Sequence, residues 1–414
     1  MKATLGRDVA VTATIMGGSA LGSSAVQVAL VLRVHEITGS AWAVTALLLA
    51  GNVPAVLLAV LAGRVVDRCD SRVLIVGCAL AQTFVCLFLA VSTSIWLMVP
   101  LLSAMTVLAT VIRPACNALV PDMVDAKHLL RANALIQGAM AAGRTAGWPL
   151  GGFLTSILGA KSVVLLDGAT FAVLAAGAML IRTRRAPRAT RYGEPRDKAQ
   201  AWIDKTIDPM LPLITASTGL AILFISTTTV AQVFFVKDAL GASDSAYGVV
   251  GACWMAGMVL AGPLVARAHC TREMLSLLVV AGQAVTGVAV LCTGLSSSPI
   301  TVGVWYVFAG LGSSSMLMAG AALLGLVASG EVRGRILAIY YTLANAAAVP
   351  AMVLGVTLMS WLGARGVFVA AGTLGIMATA VAGYVLRNML AARESLGLPD
   401  RAITASPAMG QVRA

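Results

Sequence analysis

The chain has 414 residues, of which 59% are hydrophobic and only 11% charged, with a mean hydropathy of +0.91. Soluble domains hold about 45–50% apolar residues, so a water-soluble multidomain protein is excluded and a polytopic membrane protein is indicated. The net charge of +12 does not mark a nucleic-acid binder, because the basic residues are spread over alternate connections rather than gathered into one patch.

Windows of about 20 apolar residues predict twelve helices, beginning near 9, 42, 73, 96, 131, 163, 213, 246, 273, 299, 336 and 366. The first run, from Val9 to about Leu32, is longer than a signal-peptide core and is read as an uncleaved helix. About 23 of the 29 Lys and Arg fall on alternate loops and at the termini. Four (Arg33, Lys161, Lys237, Arg365) fall on the opposite loops, and Arg113 and Arg144 lie within helices. The positive-inside rule then places both termini in the cytoplasm. Trp42, Trp96 and Trp361 fall at helix ends on the outer side, as an aromatic belt requires.

Between the second and third apolar runs lies Gly-Arg-Val-Val-Asp-Arg-Cys-Asp-Ser-Arg (63–72), three basic and two acidic residues in ten positions. A charge at the bilayer centre costs roughly 2.5–3.5 kcal/mol even on the lenient insertion scale, so this stretch is expected as a short loop in water. Gly63 would let the chain turn closely against a neighbouring helix. Asp67 would cap or pair with a helix start in the other half, and Arg68 and Arg72 would pair with Asp122 just past the fourth helix.

An internal repeat supports the helix count. Leu-Gly-Ala-Lys-Ser-Val-Val-Leu-Leu-Asp-Gly (158–168) matches Leu-Gly-Ala-Arg-Gly-Val-Phe-Val-Ala-Ala-Gly (362–372), and Gly63 to Arg68 is echoed by Gly262 to Arg267 with Ala266 in place of Asp67. Two matches at offsets of about 200 residues imply parallel six-helix halves with a site between them near mid-membrane. The expected domains are an N-terminal bundle (1–181), a basic linker (182–212), a C-terminal bundle (213–387) and a cytoplasmic tail (388–414). The linker carries Arg182, Arg184, Arg185, Arg188 and Arg191, then Trp202, Ile203 and Ile207 on one face of a short interfacial helix.

The Gly-x-x-x-Asp-Arg-x-x-x-Arg stretch resembles the loop signature of the major facilitator superfamily. Ile-Thr-Gly-Ser-Ala (37–41), Arg-Pro-Ala (113–115), Leu-Val-Pro-Asp (119–122), Leu-Arg-Ala-Asn-Ala-Leu (130–135), Leu-Gly-Ala (158–160) and Leu-Leu-Asp (165–167) narrow the resemblance to its macrolide-efflux and enterobactin-exporter branch. It runs from about Arg7 to Arg387. It implies an all-α fold of twelve membrane helices in two six-helix repeats. It also implies that Gly63, Asp67, Arg68, Arg72 and Asp122 latch the outward-facing state. Ser71 stands where the family usually has a further Arg. Gly143, Gly147, Gly151 and Gly152 resemble the antiporter glycine element, with Trp148 in the place of its Pro and Pro149 displaced by one. The spacing alone fits plain helix packing equally well. Arg113 resembles a basic residue of the fourth helix that assists proton movement.

Arg113, Arg144 and Asp167 are ionisable residues inside membrane helices, where proton or substrate charge sites are the default reading. The structural alternative has Arg113 snorkelling, Arg144 paired locally and Asp167 capping a helix near the outer face. Ser23 stands where the resembled branch often has an acid. Ser23, Gln27, Asn52, Asn117, Gln232, Trp254, Trp305, Tyr340 and Asn345 are candidate cavity residues, a set that suits amphiphilic ligands, with interhelical hydrogen bonding as the alternative.

No phosphate-binding loop, metal-ligand spacing or hydrolase motif is present, so neither an ATP-driven pump nor an enzyme is expected, and no cofactor or metal. The seven cysteines are expected to be free. The expected function is proton-coupled efflux of a hydrophobic small molecule (drug, macrolide, siderophore or peptide metabolite) by a monomer in the bacterial inner membrane. The alternatives are an importer or lipid flippase of the same fold, or a non-transporting scaffold or sensor.

Overall fold

A computed structural model describes residues 2–125, 128–183, 210–267, 271–327 and 333–395, and among them every regular element is helical. The first set is α1 (Lys2–Thr38), α2 (Ala41–Ala50), α3 (Val53–Arg68), α4 (Ser71–Val91), α5 (Ile95–Met123) and α6 (Leu129–Leu180). The second is α7 (Met210–Phe234), which runs into a π-helical turn (Phe235–Ala239), then α8 (Asp244–Ala266), α9 (Arg272–Leu295), α10 (Pro299–Val327) and α11 (Arg333–Ser395). In lipid the backbone must satisfy its own hydrogen bonds, and unbroken apolar sequence of this length can do so only as helix.

Ten described helical stretches are long and apolar enough to cross a membrane. Two of them are too long for one crossing. The 52 residues of α6 would extend about 78 Å as one straight helix, against a hydrocarbon core of about 30 Å. It bends at Gly159, where φ is 74° and ψ is 158°. The 63 residues of α11 bend in the same way at Gly363, with φ 69° and ψ 171°. Only glycine populates that backbone region without strain. Each element is therefore two crossings, and with α2 and α3 sharing one, the twelve expected crossings are present. The two bends stand 204 residues apart, the offset of the sequence repeat.

Packing repeats at the same offset. Gly143, Gly147 and Gly151 face the backbone of Gly17, Leu21 and Ala25, each step of four on α6 matched by a step of four on α1. A Cβ on Gly151 would lie 2.6 Å from the Ala25 carbonyl oxygen. The rising register makes α1 and the first limb of α6 parallel. In the second set Gly355 lies against the Thr227 carbonyl in the same manner. The two sets meet where α6 crosses α8. A Cβ on Gly152 would stand 2.9 Å from Gly248 Cα, and Gly251 lies under the Trp148 ring.

Several expectations are corrected. The stretch 63–72 is not a loop: α3 continues to Arg68, and only Cys69 and Asp70 separate it from α4. The helix ends simply carry their charges out of the apolar layer. Asp70 caps α4, its carboxylate accepting from the Arg72 N–H at 2.8 Å and the Val73 N–H at 3.3 Å. Nothing lies within 4 Å of a Cβ built on Gly63, so no neighbour presses on it. α1 starts at Lys2, and α11 runs to Ser395, past the expected start of the tail at 388. Residues 184–209, with most of the basic linker and its interfacial helix, lie outside the described residues. The point where the linker leaves is fixed, however. Buried Asp8 accepts hydrogen bonds from the Arg182 N–H (3.1 Å), the Thr183 N–H (3.0 Å) and the Thr183 hydroxyl (2.8 Å).

The bundle has a basic face, where α3 turns into α4, and an opposite face, where α1 ends. At the opposite face the two sets are tied together. His35 Nε2 lies 3.0 Å from Asp238 Oδ1, and the His35 ring meets Phe234 edge-on at 4.7 Å. Beside this crossing, within the second set, Lys237 binds Asp244 at 2.6 Å and the Arg365 guanidinium lies over the Phe235 ring at 5.5 Å.

Two predictions follow from this packing. Gly151→Leu will lower the unfolding temperature of detergent-solubilised protein, since overpacking costs about 1–3 kcal/mol, whereas Gly63→Ala will leave it unchanged; equal effects would contradict the α1–α6 contact. Asp238→Asn, in a background without native cysteines, will raise labelling of a cysteine at position 23 from the opposite face about two- to fivefold, the population shift from losing a ~0.5–1 kcal/mol pair. Unchanged labelling would show that the pair does not hold the halves together.

Candidate functional site

A cavity of about 250 Å³ lies wholly within the first set of helices. Its polar lining comes from Ser23 and Gln27 on α1, Asn52 between α2 and α3, Gln82 on α4, Thr106 on α5 and Asp167 on α6. Leu30, Leu47, Leu102, Met105 and Phe171 supply apolar wall. The break beside it is local chemistry. Pro54 has no N–H for the Ala50 carbonyl, and Asn52 turns its side-chain N–H onto the Leu48 carbonyl at 2.8 Å. Interrupted backbone at membrane depth is tolerated where it lines a cavity.

Asp167 is 1% exposed. Its Oδ1 accepts from the Thr170 hydroxyl at 3.0 Å, and its Oδ2 has no partner among the described residues. It presses against Gly22, where a Cβ would collide with Asp167 Oδ1 and stand 2.7 Å from Thr170 Oγ1. Gly22 lies midway along α1, so Asp167 is deep in the bundle rather than a cap near one face, and the capping alternative is set aside. Gln82, 2% exposed, donates to the Met105 carbonyl at 3.1 Å and leaves its Oε1 unpartnered.

The other expected residues lie elsewhere. Arg113 is exposed on α5, ten residues from its basic-face end, about 15 Å along the axis. Arg144 is half-buried on α6. Asn117 is exposed, and Gln232 is buried on α7 with its Nε2 unpartnered. Trp254 meets Tyr306 edge-on at 5.7 Å, and Trp305 lies tilted against Phe308 at 6.0 Å. Buried Tyr340 points its hydroxyl at the Met316 and Leu317 carbonyls, both at 3.5 Å. These three aromatic residues fill seams between helices and do not line the cavity. The side chain of Asn345 lies outside the described residues.

Of the latch residues, Arg72 donates to the Met179 carbonyl within its own half. Arg68 and Asp122 make no ion pair among the described residues in this conformation. Ser71 is fully buried in the first turn of α4, where an Arg would have no room. The glycine element divides its work: Gly143, Gly147 and Gly151 serve α1, Gly152 and Trp148 serve α8, and Pro149 lines an apolar groove of about 730 Å³ between α6 and α8. Sequence reasoning missed Gln82, Thr106 and Thr170. Gln82 gave the same signal as the amides that were chosen, a lone polar residue in an apolar run.

The sequence matches the Major Facilitator Superfamily family profile over residues 12–281 and again over 214–407. Among curated protein sequences no significant match is found. Similar solved structures include a POT family transporter in complex with a thioalcohol-conjugated peptide, with TM-score 0.73 and 12% identity over 92% of this chain and 96% of that one. A bacterial homolog of the human lysosomal transporter Spinster, inward-facing and unoccupied, gives 0.72 and 13% identity over 94% and 98%. The nucleoside transporter NupG gives 0.71 and 11% identity over 92% and 99%. Family match and fold agree over nearly the whole length: the chain belongs to the major facilitator superfamily.

Proposed function

We propose that this chain is a secondary active exporter of hydrophobic or amphiphilic small molecules, exchanging them for protons by alternating access. It acts as a monomer in a bacterial cytoplasmic membrane, with both termini in the cytoplasm and no cofactor. The carrying observation is Asp167, the one carboxyl group lining a cavity that also holds Ser23, Gln27 and Asn52. A charge at that depth is costly, so the group favours exchange of one positive partner for another over standing empty. The apolar groove between α6 and α8 suits the greasy part of such a substrate. The ties at the opposite face make a closed outer gate, and the latch residues serve the state in which the cytoplasmic side closes.

The energetics suffice. One inward proton exchanged for one outward monocation moves no net charge, so the pH gradient drives it, and one pH unit supplies about 1.4 kcal/mol, roughly a tenfold gradient of substrate. The groove between α6 and α8 also favours a second reading, a lipid flippase of the same fold, because its walls would accept an acyl chain.

The test is reconstitution. Liposomes holding the protein will accumulate an amphiphilic dye when an outward-directed proton gradient is imposed, and Asp167→Asn will cut the initial rate at least tenfold at equal insertion. Arg113→Ala will lower the number of protons moved per dye without lowering protein level. Dye flux that ignores the proton gradient, together with fluorescent phospholipid crossing the bilayer, would replace this reading with the flippase.

A further inference from the structure

We infer that the cavity at Asp167 is a binding site for a primary or secondary alkylammonium group, the protonated amine end of an amphiphilic ligand. This inference rests on reading the cavity as the ligand site of the transporter and names its chemical class.

In the buried part of the wall the side-chain donors are turned onto backbone carbonyls and acceptors are left over, while Ser23 and Gln27 keep polar groups at the exposed mouth. Gln82 directs an N–H to the Met105 carbonyl, Asn52 to the Leu48 carbonyl, and the Thr106 hydroxyl donates to the Leu102 carbonyl at 2.9 Å. What remains unpartnered and buried is Asp167 Oδ2 and Gln82 Oε1, both acceptors. No Lys, Arg or His is among the described residues lining the cavity. Leaving a buried acceptor unmet costs about 1–3 kcal/mol, more for a charged group. A ligand that brings positive charge and N–H donors together removes both penalties. A hard divalent cation takes six or more oxygens, more than this apolar wall supplies. The volume of 250 Å³ is below the roughly 300–1,000 Å³ that drug-sized ligands occupy, so the cavity takes an ammonium head with a short chain or one ring. The rest of the ligand leaves past Ser23 and Gln27, which are exposed.

The second half supplies an internal control. Asp167 corresponds to Ala371 at the offset of 204, and Gln82 to Gln283 at an offset of 201, between the two offsets of the sequence repeat. There Gln283 donates to Ser217 Oγ at 3.1 Å, Ala371 is buried, and the space they line shrinks to about 10 Å³, too little for more than one water. The fold is thus built without an acid or a cavity at that position. In the first half both are present, with their acceptors unmet, so they are not needed for helix packing.

The experiment is equilibrium binding of tritiated phenethylamine to the purified full-length protein by scintillation proximity, with 2-phenylethanol as the neutral competitor of the same shape. Saturable binding is expected, with little displacement by the alcohol. Asp167→Asn should weaken it at least tenfold and Asp167→Glu should largely restore it. Since a change at Asp167 risks misfolding, Gln82→Met is the second variant: it keeps length and removes the acceptor, and should weaken binding severalfold with an unchanged size-exclusion profile. The inference is overturned if folded wild-type protein shows no saturable binding, if the alcohol displaces the amine equally well, or if both Asp167→Asn and Gln82→Met bind like wild type. Failure here with dye export still dependent on Asp167 would leave proton coupling standing. Amine binding without proton-driven dye flux would do the reverse.

Discussion

Helices in hydrocarbon gain nothing by hiding apolar side chains from water, so they are held by close contact of backbone on backbone. The contact on which this structure depends is α1 lying along α6, with Gly143, Gly147 and Gly151 against Gly17, Leu21 and Ala25. Backbone lies on backbone at each of the three steps, with only the Ser24 and Ala139 Cβ atoms beside them, so the register is fixed. That register brings Gly22 against Asp167 and Thr170. It also leaves Gly152 and Trp148 on another face of α6 for the second half, where they meet Gly248 and Gly251. One helix therefore sets both the interior of the first half and its junction with the second, and a displacement along α6 is felt at the acid and at the interface together.

The fold was legible because its signals are long and redundant. Apolar runs of about 20 residues have one meaning in a chain this poor in charge, and the 204-residue repeat carried both the Leu-Gly-Ala bends and the Gly151 and Gly355 contacts. The stretch 63–72 misled because charge density reports that residues lie in water, and a helix end protruding from the membrane meets that condition as well as a loop does. The site was legible only in part. Ser23, Gln27, Asn52 and Asp167 share a cavity, but Gln82 joins them from a helix that hydropathy marks as uniformly apolar, and Trp254, Trp305 and Tyr340 turn away from it. Which way a polar residue points depends on the neighbours of its helix, and one sequence does not contain that information. The helix break at Gly51 and Asn52, just before Pro54, was the overlooked local clue, since interrupted helices mark binding sites in transporters.

The two faces of the bundle are built differently. At the face opposite the basic loops, His35 with Asp238 crosses between the halves, while Lys237 with Asp244 firms the turn beside it. At the basic face Arg72 holds Met179, Asp70 caps its own helix, and Asp8 holds Arg182 and Thr183, each within the first half. On the proposed mechanism, the contact of His35 with Asp238 belongs to the state closed at that face, and the contacts within the first half let it move as a unit.

Within that movement the halves are unequal partners. The second half has lost the acid twice, with Ala266 at the place of Asp67 and Ala371 at that of Asp167, and its version of the cavity is filled. The repeat keeps its bends and its glycine contacts but not these two acids, so in the proposed function the charge chemistry falls to the first half. The floor of the first-half cavity, Asp167 with Gln82, is held by hydrogen bonds inside that half, so on the proposed mechanism it stays unchanged as the halves rock. Its mouth at Ser23 and Gln27 is exposed, and a rocking second half can cover it. A fixed carboxylate under a movable cover needs no change in its own contacts to exchange one positive partner for another. It needs only to be exposed to each side of the membrane in turn, and the junction between halves is the element that can do this.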